Sequence, residues 1–239
     1  MTAARLLALA LVAALLGGCQ SVPGSGRTQL VLVDDEGLAR EAGAAFARMP
    51  RASDPVALAR IRTVAHRVIA AARACPEYGD PNLPPPANWE IILVDDSTPN
   101  AFAMPGGRIG VHRGMLPLMP TDADLATVLG HEVAHVVCHH GAERVSHGIL
   151  AALGAVAVDQ AMADRPAQRR QEALAVYGAA ATLGVILPYS RGHETEADRI
   201  GLVYMARAGY DPAAAIAFWR RFAANKSGGT PEFLSTHPA

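Results

Sequence analysis

The chain is short of aromatic residues, cysteine and net charge. Aromatics make up 5% of 239 residues, so the 51% apolar content is mainly aliphatic. Much of it is alanine, which favours helix. With 21 basic and 22 acidic residues the formal net charge is −1, which leaves no electrostatic case for nucleic acid. Three cysteines, Cys19, Cys75 and Cys138, are too few for a disulfide-built scaffold. The two later apolar runs, read as about ten and fifteen residues, are expected to fall short of the roughly 18 needed to span a membrane. Internal repeats, a P-loop and a dinucleotide fingerprint are all missing, and Gly106-Gly107 reads as a turn.

Met1 to Cys19 has Arg5, an apolar run from Leu6 to Leu16, then Leu16-Gly17-Gly18-Cys19. The run is too short for a durable span and reads as a signal peptide. Its end resembles a bacterial lipobox, which implies cleavage before Cys19 and lipidation of that thiol. By resemblance to bacterial lipoproteins, Gln20 after the cysteine implies sorting to the outer membrane. The expected division is a signal peptide at 1–18, a lipidated flexible tether at 19–35 and one domain at 36–239. About 220 mature residues suffice for one sizeable core. Cys75 and Cys138 then form a candidate disulfide in an oxidising compartment, or Cys138 is a buried apolar thiol.

What is present centres on His131-Glu132-Val133-Ala134-His135. At 3.6 residues per turn, His131 and His135 share a helix face and can bind one metal ion from the same side. Glu132 lies about 100° further round, within reach of a water at that metal. The flanks are apolar (Val128, Leu129, Val136, Val137), and Thr121 with Asp124 three residues on forms a capping-box start. One helix is expected from Asp122 to about His147.

A second piece, Ser190-Arg191-Gly192-His193-Glu194-Thr195-Glu196-Ala197-Asp198 followed by Arg199-Ile200-Gly201, offers the third ligand of a catalytic zinc. Glu194, Glu196, Asp198 and His193 are the candidates. Glu194 and Asp198 are one turn apart on one face, with Gly201 on the same stripe, whereas Glu196 points away. That spacing fits Glu194 as ligand and Asp198 as acceptor for the free N–H of a zinc histidine. Ala197 and Gly201 permit close approach to the first helix. His66, His112, His139, His140, His147 and His193 lack ligand spacing, although His140 could pack near the site.

These pieces resemble the HtpX and CAAX prenyl protease-like zinc metallopeptidases, most nearly the BepA/LoiP-type periplasmic lipoprotein enzymes. Asn100-Ala101-Phe102-Ala103-Met104-Pro105-Gly106-Gly107 and Leu234-Ser235-Thr236-His237-Pro238 match further segments of that family in order. The family pattern continues to a downstream Arg, and the BepA type to a helical-repeat domain. The sequence stops at Ala239 before that Arg, so either the chain is truncated or another group takes its place; lacking the repeat domain, it resembles the single-domain LoiP-like type more closely. The resemblance implies an α+β, mainly helical, zincin-like domain with a small mixed β-sheet beside the HExxH helix. It also implies one Zn²⁺ per chain, held by His131, His135 and Glu194, with Glu132 as general base and Asp198 supporting. His237 and Arg191 are candidates for oxyanion stabilisation, and His237 alternatively for a removable plug on the metal.

Asn100, Ala101, Phe102 and Ala103 are expected to form an edge strand onto which an extended substrate adds. Ile149–Val158 and Ala173–Leu187 are expected to form a helical hairpin packed on the core, with apposition to a membrane the alternative. The function implied is a zinc endopeptidase of the bacterial envelope. It would be lipid-anchored to the inner leaflet of the outer membrane and would cleave unfolded or misassembled proteins. The alternative is a proteolytically latent chaperone or scaffold assisting outer-membrane assembly. Protein substrates, the membrane and the outer-membrane assembly machinery are the implied partners.

Overall fold

The computed structural model describes residues 18–22 and 25–224. The leader and the segment carrying His237 lie outside the described residues. Two strands, β1 (Cys19–Ser21) and β2 (Thr28–Leu30), pair antiparallel with Cys19 opposite Leu30. Helices α1 (Asp35–Phe46) and α2 (Pro55–Ala74) follow. Asp34 caps α1 through the N–H groups of Glu36 and Gly37, and Asp54 caps α2 through that of Ala57. Pro55 sits in the first turn of α2, where its missing N–H costs no bond. Ile61, Val64, Ala65, Val68, Ile69 and Ala72 recur on one face of α2 and are all buried.

Strands β3 (Glu90–Val94), β4 (Ala101–Met104) and β5 (Arg108–His112) form a sheet in the order β3-β5-β4, with β3 parallel and β4 antiparallel to β5. The turn from β4 to β5 uses Gly106 and Gly107 at φ 82° and 78°, a left-handed conformation that Cβ-bearing residues disfavour. This order leaves β4 at the sheet edge, packed against α3 (Asp122–Val137).

Helix α3 is the central post of the molecule. Thr121 and Asp124 close the expected capping box, and Leu125, Val128, Leu129, Val133, Ala134 and Val137 are all fully buried. A helix apolar on every side must be enclosed. Here α2, β4, α6 (Leu187–Arg207) and α7 (Ala214–Ala224) enclose it. The closest approach is between Gly130 and Gly201: a Cβ on Gly201 would stand 2.7 Å from the His131 nitrogen. The small residues therefore set the α3–α6 distance, as their pattern suggests.

Four expectations need correction. The HExxH helix does not run on to His147. It ends at Val137, and α4 (His140–Ala161) begins after His139, which takes a left-handed φ of 53°. That residue redirects the chain and swings the His140 ring back towards His135. Secondly, the described residues of 19–35 are not a loose tether: β1 pairs with β2, β2 contacts α4, and the Leu32 N–H just after β2 bonds the Ser146 hydroxyl of α4 at 2.8 Å. Thirdly, Cys75 and Cys138 are both buried but unbridged.

Helices α4 and α5 (Ala167–Ala181) form the expected hairpin, tied by an Arg170–Asp159 ion pair and a Tyr177 hydroxyl to Ala151 carbonyl bond of 3.0 Å. A π-turn over Thr182–Ile186 joins α5 to α6, making one helical run of 41 residues. Fourthly, the hairpin is not packed on the core. Val176 and Leu183 are 70% and 68% exposed, and the apolar stretch of this run, long enough to cross a membrane, is 0% buried.

Candidate active site

Helix periodicity puts His131 and His135 on one face of α3, and the Gly130–Gly201 contact brings α6 alongside with Glu194 turned inwards. The Nε2 atoms of the two histidines are 3.0 Å apart. Glu194 reaches His131 Nε2 at 3.2 Å and His135 Nε2 at 3.6 Å. All three residues are buried. Donors about 2.0–2.1 Å from a tetrahedral zinc ion lie about 3.3 Å from one another, so these spacings match the edges of such a cage.

Electrostatics agree. Burial opposes a charge on His131, but hydrogen bonds to Asp198 and Glu194 outweigh it and raise its pKa to about 10. Burial holds His135 well below its ordinary value, and the neighbouring His131 and His140 add to the effect. The cage thus favours one positive charge between two facing ring nitrogens. Two imidazoles and a carboxylate are the donors a divalent ion of zinc's preferences takes, so the residues fit that metal. His131, His135 and Glu194 would hold it, leaving a position open.

Around this cage each ligand has its own support. Asp198 accepts from His131 Nδ1 at 2.8 Å, the role its spacing suggests. His135 Nδ1 meets His140 Nδ1 at 2.8 Å, and His140 Nε2 meets Glu196 at 2.9 Å. Glu196 does face away from the cage, into this second network. Arg27, from the loop between β1 and β2, bonds Glu196 at 2.9 Å and Glu143 at 2.8 Å. His193 bonds Glu143 at 2.8 Å and stacks on His140 at 4.2 Å between ring centroids. Burial pushes His140 down to about 4 against the pull of Glu196, so its ring is neutral.

Cys138, His140 and Glu196 also cluster closely enough to hold a metal, but the chemistry is wrong. Burial pushes the Cys138 thiol up to about 12, so it stays protonated, and the Arg27 guanidinium already neutralises Glu196.

Glu132 stands beside the cage, and its Oε2 accepts from the Ala103 N–H at 3.0 Å. The edge strand and the acid are therefore one unit. The N–H of Ala103 points away from β5, and Asn100 Oδ1 accepts from the Ala101 N–H at 2.9 Å. Phe102 packs edge-on against Phe46. A bound metal of this kind polarises a carbonyl and acidifies a water. With such a metal bound, Glu132 would lie within reach of its water as a candidate proton acceptor. Arg191 is exposed on α6 in a groove with Arg27 and Tyr189, and among the described residues it bonds none of the cage side chains.

Sequence reasoning missed Arg27 and Glu143, and it weighed Glu196 and His193 only as metal ligands, not as members of the network behind His135. Their only linear signal was the crowding of His and Glu after each motif.

Residues 52–239 match peptidase family M48, and the chain belongs to that family. The mitochondrial metalloendopeptidase OMA1 of Schizosaccharomyces pombe is 40% identical over 153 residues, covering 63% of this chain and 43% of that protein. The OMA1 of Saccharomyces cerevisiae is 37% identical over 195 residues, covering 75% and 52%. A putative beta-barrel assembly-enhancing protease of Vibrio cholerae is 32% identical over 209 residues, covering 82% and 40%. The chain thus spans about half or less of the length of these relatives.

Proposed function

We propose that the protein is a zinc endopeptidase, with one Zn²⁺ held by His131, His135 and Glu194 and with Glu132 as general base. The observation that carries this reading is the buried cage: three donors at zinc spacing with an acid beside them, held by a sheet edge. An extended chain laid along β4 would use main-chain bonds, which read backbone rather than side chains. Unfolded or misassembled proteins are then the natural substrates.

The setting we propose is the bacterial envelope, periplasmic and anchored through lipidated Cys19 to the inner leaflet of the outer membrane. Three observations support it: the lipobox-like Leu16-Gly17-Gly18-Cys19, relatives named for beta-barrel assembly, and the exposed apolar hairpin. Cys19 pairs with Leu30, two residues from the Leu32 contact to α4, so the anchor sits near the hairpin's base. Exposed apolar side chains beside a lipid anchor suit a bilayer surface.

The test compares wild type with Glu132→Gln on unfolded casein, with zinc measured in both. Casein cleavage by wild type only, with one zinc in each, supports the enzyme. If neither cleaves while zinc is stoichiometric and unfolded chains still bind, the protein is a chaperone-like binder. Fractionation of Cys19→Ala tests the anchor: the variant is expected in the soluble fraction.

A further inference from the structure

We propose that Arg27, Glu196 and His140 form a positioning chain that fixes His135 as a metal ligand, which makes the N-terminal ribbon part of the metal centre. The inference rests on the metal-site reading above and goes beyond it.

The argument is one of donors and acceptors. Glu196 is a carboxylate that takes the Nε and Nη2 hydrogens of Arg27 at 3.2 and 2.9 Å, and it can only accept. His140 Nε2, 2.9 Å from the same oxygen, must therefore carry a proton. In a neutral imidazole the other nitrogen is then an acceptor. His135 Nδ1, 2.8 Å from His140 Nδ1, must in turn be the donor. This makes Nε2 the unprotonated nitrogen of His135, the atom that faces His131 and Glu194. The protonation pattern of the whole chain is thus set from its far end by a guanidinium.

The two ligands are served differently. His131 has a carboxylate directly behind it, whereas His135 has a neutral ring backed by a carboxylate–arginine pair. The ring is held on its face as well, by His193 stacked at 4.2 Å and 13°. His193 is in turn bonded to Glu143, which takes both Oε contacts from Arg27 Nη1 at 2.8 Å. Arg27 is therefore the joint on which both branches close. It comes from the loop between β1 and β2, 116 positions from Glu143 and 169 from Glu196.

The test uses the full chain with His140→Leu, His140→Asn, Arg27→Met and Arg27→Lys. Zinc affinity is read by chelator competition, and the His135 tautomer by long-range ¹H–¹⁵N spectra of the metal-free protein. Loss of an outer partner of a ligand histidine typically costs about 10–100-fold in metal affinity, and His140→Leu is expected in that range. Its His135 should also become a tautomer mixture. His140→Asn keeps an acceptor near Nδ1 and should recover part of the loss, and Arg27→Lys should bind tighter than Arg27→Met. Unchanged affinity and an unchanged Nδ1–H tautomer in folded His140→Leu and Arg27→Met would overturn the proposal. Should those two fail to fold, the same pair of readings on His140→Asn and Arg27→Lys decides. His131→Ala is the control: if it too binds zinc normally, the metal centre itself is wrong, and not merely this chain.

Discussion

A single backbone N–H links substrate edge and base: Ala103 donates to Glu132 at 3.0 Å. Glu132→Gln keeps the shape and removes the proton acceptor. It should lower kcat on an unfolded substrate by about 10²–10⁴-fold while elemental analysis still finds the metal. Ala103→Pro deletes the donor at an edge position where proline is tolerated. Glu132 then loses this positioning bond, and steady-state kinetics should show kcat reduced by about 10–100-fold. At this scale the cage was legible in the sequence. His131, His135, Glu194 and Asp198 are separated by single helical turns within each motif, so periodicity alone puts each pair on one face. Arg27, Glu143, Glu196 and His193 were not legible as a network. Contacts between Arg27 and residues over a hundred positions away depend on tertiary packing that no local period encodes.

Between elements, the α3–α6 contact has no room for a side chain. Gly201→Ala would put its methyl 2.7 Å from the His131 nitrogen and 2.8 Å from the Gly130 carbonyl carbon. The helices must part, at a cost of about 1–3 kcal/mol. Thermal unfolding should report the loss, together with weaker metal binding as Glu194 is carried away from the histidines. The β1–β2 ribbon is held by Arg27 to Glu143 and Glu196. Burial opposes their ionisation, but bonds from His193, His140 and Arg27 prevail and hold both below 4.5, Glu196 at about 2. Groups depressed in this way stabilise the fold fully above pH 4.5, and the contribution is lost as pH falls from there towards 2. Hydrogen-exchange protection factors in Thr28–Leu30 should therefore be high at pH 7 and fall steeply in that acid window. Two helix starts were legible from caps and proline, at Asp54-Pro55 and at Thr121 with Asp124. The break at His139 was not, because a left-handed non-glycine residue leaves no mark in the residue pattern.

Across the whole molecule, the body is closed but the α4–α5 hairpin is bare. Serine at Val176 and Leu183 should change unfolding free energy by no more than about 0.5 kcal/mol, since neither side chain is buried. The same pair should co-sediment less with phospholipid vesicles than wild type does. A core-packed hairpin would give the reverse: a marked drop in stability and no change with vesicles. The sequence showed the two apolar runs but not where they point, because an amphipathic or apolar helix looks the same whether its partner is protein or lipid. The docked ribbon has a practical corollary for anyone producing this protein. Composition suggests trimming the polypeptide at Glu36 for expression, yet such a truncation discards Arg27 and with it both carboxylate contacts. Material made that way is expected to be weakly metallated, and low activity in it would say little about the full chain.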